Sequence, residues 1–257
     1  MWNPEIYLRF ADERGRPFHD LVNRVGASSP RAVEDLGCGP GNLTETLVDR
    51  WPTAAIRGID SSPEMIATAI SPSARATYEV GDVREYKPGD DVDVIVSNAM
   101  LQWVDECDEI LKSWVKPGRW IAAQMPANYD APSHLLLRSL CASPRWSAKL
   151  GHLSETVRAV GDAVHFARLL RDAGCDHVDT WETTYIHQLP QVTAGDHPVL
   201  TWMSGTALRP VRSALSDDDF AAFATELNPL LQEAYPAVNR VVDFPFLRVF
   251  VVGYRSS

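Results

Sequence analysis

The chain has 257 residues, 45% of them hydrophobic and 23% charged, with a formal net charge of −10. That length suits one α/β domain with insertions, or one and a half domains of ordinary size. The acidic balance and the absence of any Lys/Arg-rich run argue against nucleic acid as a substrate, because phosphate binding needs a basic footprint.

In chain order, residues 4–25 read as two short helices. Asn3 and Pro4 place a cap before a proline at the first helical position, and Phe18, Leu21, Val22 and Val25 recur at helical spacing. Strands and helices then alternate. Ala32–Leu36 reads as a strand with a helix over 43–50, and 55–59 as a second strand. Ser62-Pro63-Glu64 opens the next helix with cap, proline and acid in their favoured order. Thr77–Val80 is a third strand, ending at Gly81-Asp82. Residues 92–96 form a continuous β-branched run, as a strand buried on both faces requires. Val104, Cys107, Leu111, Trp114 and Val115 mark one face of a helix stopped by Lys116-Pro117-Gly118, and 120–125 is a fifth strand. A helix over 162–173, stopped by Gly174, and strands over 177–188 and 246–254 complete the series.

This alternation predicts an α/β fold with a doubly wound, mostly parallel sheet. Two final strands with no simple crossover helix between them predict an antiparallel partner at one edge. Residues 127–161 and 190–245 are too long for loops in a compact domain and should carry helices. Ser216-Asp217-Asp218-Asp219 reads as a capped start, followed by Phe220, Phe223, Ala224 and Leu227. Ligands of open α/β sheets bind outside the carboxyl ends of the strands. The expectation is therefore a single domain with its core in 27–126, 162–189 and 246–257, and a lid from 1–26, 127–161 and 190–245.

No apolar run approaches the roughly twenty residues that span a bilayer. Met1-Trp2-Asn3-Pro4-Glu5 lacks a signal-peptide pattern. Cys38, Cys107, Cys141 and Cys175 form no C-x-x-C pair and no zinc spacing. The expectation is a cytoplasmic protein with reduced thiols, no metal, no membrane or nucleic-acid association and no obligate protein partner.

The chemistry concentrates where the first strand runs into Asp35-Leu36-Gly37-Cys38-Gly39-Pro40-Gly41, with Asp60 and Asp82 closing the next two strands. Glycines let a backbone approach a ligand closely, and an acid after the second strand suits ribose hydroxyls. The spacing G-x-G-x-G departs from the dinucleotide fingerprint G-x-G-x-x-G. A carboxylate at Asp35 would repel a pyrophosphate but suits the cationic end of an amino-acid ligand. A NAD-dependent oxidoreductase is disfavoured on both counts. Ser97-Asn98-Ala99-Met100 also lacks the Asn/Asp-Pro-Pro-aromatic motif used on extruded bases.

These motifs resemble the S-adenosylmethionine (SAM) site of class I methyltransferases, whose sheet is seven-stranded and Rossmann-like. The resemblance implies that the loop through Asp35, Gly37, Cys38, Gly39 and Gly41 holds the methionine moiety, Asp60 the ribose and Asp82 the adenine amino group. Ser61, Met65, Val83, Asn98 and Trp103 complete the implied cofactor contacts.

Other segments are similar to the trans-aconitate methyltransferase family over almost the whole chain. They are Trp2-Asn3-Pro4 with Tyr7-Leu8 and Phe10, Glu13-Arg14 with Arg16-Pro17, Asn98-Ala99 with Leu101-Gln102-Trp103, and Gln124-Met125-Pro126 with Asn128. Thr183-Thr184-Tyr185 with His187-Gln188, Leu208-Arg209-Pro210, and Phe246 with Arg248 and Phe250 follow. Where that family opens a helix with two tyrosines, this chain has His165-Phe166.

The resemblance implies methyl transfer from SAM to a carboxylate oxygen of a small polycarboxylic acid, most simply trans-aconitate; a different O-, N- or C-acceptor is the alternative. A carboxylic acid is already ionised at neutral pH, so no catalytic base is expected. Spectator carboxylates need cations, which points to Arg14, Arg16 and Arg209, with Gln102, Asn128, Tyr185 and His187 as polar contacts.

Overall fold

The structure is a computed structural model that describes residues 11–155, 160–191 and 195–256, without the side chains of 11–14 and 155. The first expected helix lies largely in 1–10, outside the described residues. The second is α1 (Ala11–Val22), and Phe18, Leu21, Val22 and the following Val25 are all buried, as their spacing required.

The alternation follows as β1 (Ala32–Leu36), α2 (Thr44–Arg50), β2 (Ala55–Asp60), α3 (Pro63–Ala69), β3 (Thr77–Val80) and β4 (Val92–Asn98). A short 3-10 turn (Leu101–Trp103), α4 (Cys107–Trp114) and β5 (Trp120–Pro126) come next. Then come α5 (Pro132–Cys141), α6 (Ser147–Glu155), α7 (Ala163–Asp172) and β6 (His177–Pro190). The chain ends with α8 (Pro198–Ser204), α9 (Arg209–Ala214), α10 (Asp217–Ala234) and β7 (Val241–Tyr254). One sheet has the order β3-β2-β1-β4-β5-β7-β6. The pairs of β1 with β2 and β4, β2 with β3, and β4 with β5 are parallel, and β5 with β7 is antiparallel.

The chain divides into two compact units. The first comprises 14–126, 160–183 and 248–257 and carries the parallel strands. Val94, Ile95 and Val96 of β4 are consecutive and wholly buried, so this strand is covered on both faces. Leu111 and Trp114 of α4 and Phe166 and Leu170 of α7 are buried in the same unit. Val104 and Val115, expected on α4, fall in the loops that flank it. Residues 14–26, which the sequence placed with a lid, group with this unit.

The second unit comprises 1–13, 127–159 and 184–247. Both long segments do carry helices, and these have an apolar core of their own built from Leu137, Trp146, Leu150, Phe223, Leu227 and Leu231, among others. Ser216 caps α10 by accepting from Asp219 N, as read from the sequence. Trp146 meets Phe223 edge-on at 5.4 Å. β7 begins at Val241, five residues before the expected start at 246. Val242, Phe244 and Phe246 alternate inward from that extension.

Candidate active site

The carboxyl ends of β1, β2 and β3 each present an aspartate. Asp35, in β1, is 2% exposed and accepts a 2.6 Å hydrogen bond from Thr44 Oγ1 at the start of α2. Burial pushes its carboxyl up to about 7; the Thr44 bond opposes that rise and the charge of Asp60 adds to it.

The glycine loop after β1 is built by backbone geometry. Gly37, Gly39 and Gly41 all have positive φ, at 77°, 57° and 80°. A Cβ on Gly37 would lie 2.4 Å from Met100, so a side chain there is excluded on two grounds. At Gly39 nothing stands within 4 Å of that position. The loop therefore offers its bare backbone to a ligand on that side. Cys38 is buried next to it, and burial raises its thiol above the usual range.

Asp60 ties the loop to β2. Its Oδ2 accepts from Gly39 N and its Oδ1 from Ser62 N, both at 2.9 Å. An ionised carboxylate has about four lone-pair sites, so two remain for hydroxyl donors. Ser61 is exposed beside it, and Ser62 caps α3 by accepting from Met65 N, with Met65 half-buried. Gly81 N donates to Asp60 O, which brings the end of β3 alongside. Asp82 there is held by Arg84, whose Nε donates to Oδ1 at 2.9 Å, and the pairing depresses its carboxyl to about 2. Val83 is half-buried next to it.

The end of β4 differs. Asn98 Oδ1 is buried and has no hydrogen-bond partner among the described residues. Ala99 follows with φ 55° and receives Gln102 Nε2 at its carbonyl (2.6 Å). Gln102 Oε1 is buried and likewise has no hydrogen-bond partner among the described residues. Trp103 is 60% exposed, a large apolar surface facing solvent in this unit.

The expected acceptor contacts are spread over both units. Arg14 lies on α1, and Arg16, on the same helix, is exposed with Asp20 3.7 Å away. In the second unit Asn128 is buried with its amide 3.4 Å from His134 Nδ1, and Tyr185 is buried. His187 is buried against aromatic rings, stacked 4.6 Å from Trp202. Arg209 is exposed at the start of α9, while its neighbour Arg212 pairs with Asp217. Of the two residues at the tyrosine-pair position, Phe166 is buried in the core and His165 lies 2.9 Å from Asp108. Thr44 and Arg84 were not singled out from the sequence, and Gln124 stood there only within a motif that resembles the family. Thr44 was findable as the first polar residue of the helix after the loop and Arg84 as a cation two residues beyond Asp82, whereas Gln124 acts through a tertiary contact. No three His, Cys, Asp or Glu stand together as a metal site among the described residues.

Three carboxylates around an open glycine backbone accept hydrogen bonds and cations. They fit a ligand with an ammonium, ribose hydroxyls and an adenine amino group, and they reject a pyrophosphate. SAM meets each requirement.

Residues 33–118 match a family described as a methyltransferase domain. The chain is 51% identical over 258 aligned residues to a trans-aconitate 2-methyltransferase of Mycolicibacterium gilvum, covering 98% of each. It is 48% identical to the protein of that name from Mycobacterium tuberculosis, covering 98% of this chain and 96% of that one. Among solved structures, phosphoethanolamine N-methyltransferase 2 of Haemonchus contortus, bound to S-adenosylhomocysteine, superposes with a TM-score of 0.55 at 14% identity, over 94% of this chain and 53% of that one. The YcgJ protein of Bacillus subtilis does so with a TM-score of 0.59 at 11% identity, over 94% and 99% of the two chains. These two likenesses speak for the fold.

Proposed function

The chain belongs to the trans-aconitate 2-methyltransferase family, and on that premise we propose that it methylates a carboxylate oxygen of trans-aconitate, giving a monomethyl ester and S-adenosylhomocysteine. It is a SAM-dependent methyltransferase. The observation that carries the choice of acceptor is the extent of the relationship. The methyltransferase-domain match stops at residue 118, whereas the identity to the named relatives runs through 98% of the chain and so includes the second unit.

Asp35, Gly37, Cys38, Gly39 and Gly41 would hold the methionine end of SAM, Asp60 and Ser61 the ribose, and Asp82 and Val83 the adenine. Met65, Asn98 and Trp103 complete the set. Bound there, SAM supplies an electrophilic methyl group on its sulfonium. The acceptor carboxylate, with a pKa near 4, arrives already ionised at neutral pH, so no residue needs to take a proton. What the protein contributes is alignment and exclusion of water, and alignment alone is worth on the order of 7–11 kcal/mol. Arg14, Arg16 and Arg209 would neutralise the spectator carboxylates, with Gln102, Asn128, Tyr185 and His187 as polar contacts. No helix among the described residues is long and apolar enough to cross a membrane. With four unpaired cysteines, we place the enzyme in a reducing cytoplasm, without an obligate protein partner.

The test is incubation with methyl-labelled SAM and a panel of di- and tricarboxylates, with products identified by mass. Base-labile ester from trans-aconitate supports the reading. Label that appears only on an amine, phenol or carbon acceptor overturns it.

A further inference from the structure

One face of the sheet carries a graded row of side chains at its carboxyl edge. Gly58 pairs with Asp35 and Asp35 with Val96. Asn98 pairs with Gln124, and Gln124 with Phe250. Paired residues, and residues two apart on one strand, share a face. Asp60, Asp35, Asn98, Gln124 and Arg248 therefore lie on the same face, along β2, β1, β4, β5 and β7. The row runs from two acids through two neutral amides to an arginine. The acidic end belongs to the cofactor, whose ammonium and hydroxyls are donors. The other end has the opposite character.

Arg248 is 4% exposed, and its Nη1 donates to Gln124 Oε1 at 3.0 Å. An arginine can only donate, so the Gln124 amide must present its oxygen to it. That orientation commits Gln124 Nε2 to the remaining direction. Gln124 is 1% exposed, and Nε2 has no hydrogen-bond partner among the described residues. A buried amide donor left without an acceptor is costly, and such groups in folded proteins call for an explanation. The fork of a guanidinium beside an amide N–H is matched by a carboxylate, which is planar and purely accepting. Asn98 Oδ1, an acceptor without a partner among the described residues, suits the cationic side and marks where the row changes character.

We propose that Arg248, held in orientation by Gln124, binds a carboxylate of the acceptor that is not methylated, with Gln124 Nε2 donating to the same group. This rests on the polycarboxylate reading above and adds a binding residue to it. The row sets the direction of the acceptor: its reacting carboxylate lies toward the sulfonium, and the anchored one lies toward β7. Phe250, buried and stacked on Trp181 with ring centroids 4.6 Å apart, gives Gln124 a rigid neighbour in register.

The experiment measures calorimetric binding of trans-aconitate to the complex with S-adenosylhomocysteine, for wild type, Arg248→Met and Gln124→Glu. Gln124→Glu is nearly isosteric and puts a carboxylate onto Arg248 itself, so it occupies the arginine without removing it. Both variants should bind S-adenosylhomocysteine within about twofold of wild type and trans-aconitate at least about tenfold more weakly. The penalty of Arg248→Met should vanish on one of the dicarboxylates that each lack one of the three groups. If Arg248→Met does not fold, Gln124→Glu decides alone. Wild-type affinity for trans-aconitate in Gln124→Glu, or a penalty that persists undiminished on every dicarboxylate, overturns the assignment. A wild-type enzyme that methylates no polycarboxylate refutes the proposed function. One that does so while both variants bind the acid normally refutes only the role of Arg248.

Discussion

Replacing Asp35 by Asn separates what the cofactor needs from what the fold tolerates. Burial moves this carboxyl from 3.8 to about 7, against the bond from Thr44 and with the charge of Asp60. Cys38 and Tyr78 are the other titratable groups that feel its charge, and both have pKa values raised by burial above all. The folded state thus holds the Asp35 proton more tightly than the unfolded chain does. Its contribution to stability is fully present below about pH 4 and is lost as the pH rises through about 7. Above that, the ionised group costs the unliganded protein on the order of 4 kcal/mol relative to its protonated form. Asn keeps an oxygen for Thr44 and carries no charge. At pH 8 without SAM the variant should therefore melt several degrees above wild type, and the gap should close toward pH 4. SAM reverses the order. Losing the proposed charged partner of the ammonium should weaken SAM binding by about 1.5–3 kcal/mol at pH 8. Wild-type affinity should also fall, approaching tenfold per pH unit below about 7, as Asp35 takes up its proton, while the variant stays flat. Thermal melts and calorimetric titrations from pH 5 to 8 read both effects. A variant that melts below wild type at pH 8, or binds SAM equally well with the same pH dependence, refutes this account of Asp35.

Asp60→Ala removes the acceptor of Gly39 N and Ser62 N as well as the expected ribose ligand, and should weaken SAM binding by at least about 1.5–3 kcal/mol; unchanged calorimetric affinity would take Asp60 out of the site. With no catalytic base, the rate at saturating SAM and acid should be flat from about pH 6.5 to 9. A tenfold rise per pH unit over that window would point to a phenol, amine or alcohol acceptor. Arg209→Ala should leave SAM affinity and melting temperature intact, because Asp217 is paired by Arg212 instead, and should lower kcat/KM for the acid at least about tenfold, with Arg209→Lys recovering part of it. Normal steady-state kinetics in the alanine variant would exclude Arg209 from acceptor binding.

The strand-helix alternation and the glycine loop were legible in the sequence because both are local. The strands are short segments bounded by turn and cap residues, β4 a β-branched run among them, and the loop needs glycines at positive φ within five residues of one another. Thr77–Val80 and Ala32–Leu36 have the bounds that the pattern set. Less legible were features whose meaning depends on what lies across space. The early start of β7 at Val241 was hidden because the burial of its alternating residues, with Phe244 against Trp202 and Tyr235, arises only in the folded chain. Gln124 and Arg248 stood in motifs that resemble a family, but only strand register brings residues 124 positions apart to one hydrogen bond. The sequence by itself determined the fold class and the donor of the methyl group, since glycine, aspartate and β-branched runs act on their immediate neighbours. Tertiary structure alone decided the pKa of Asp35 and the polarity of the row that ends at Arg248. Burial and cross-strand pairing are properties of the folded chain, and no short stretch of residues carries them.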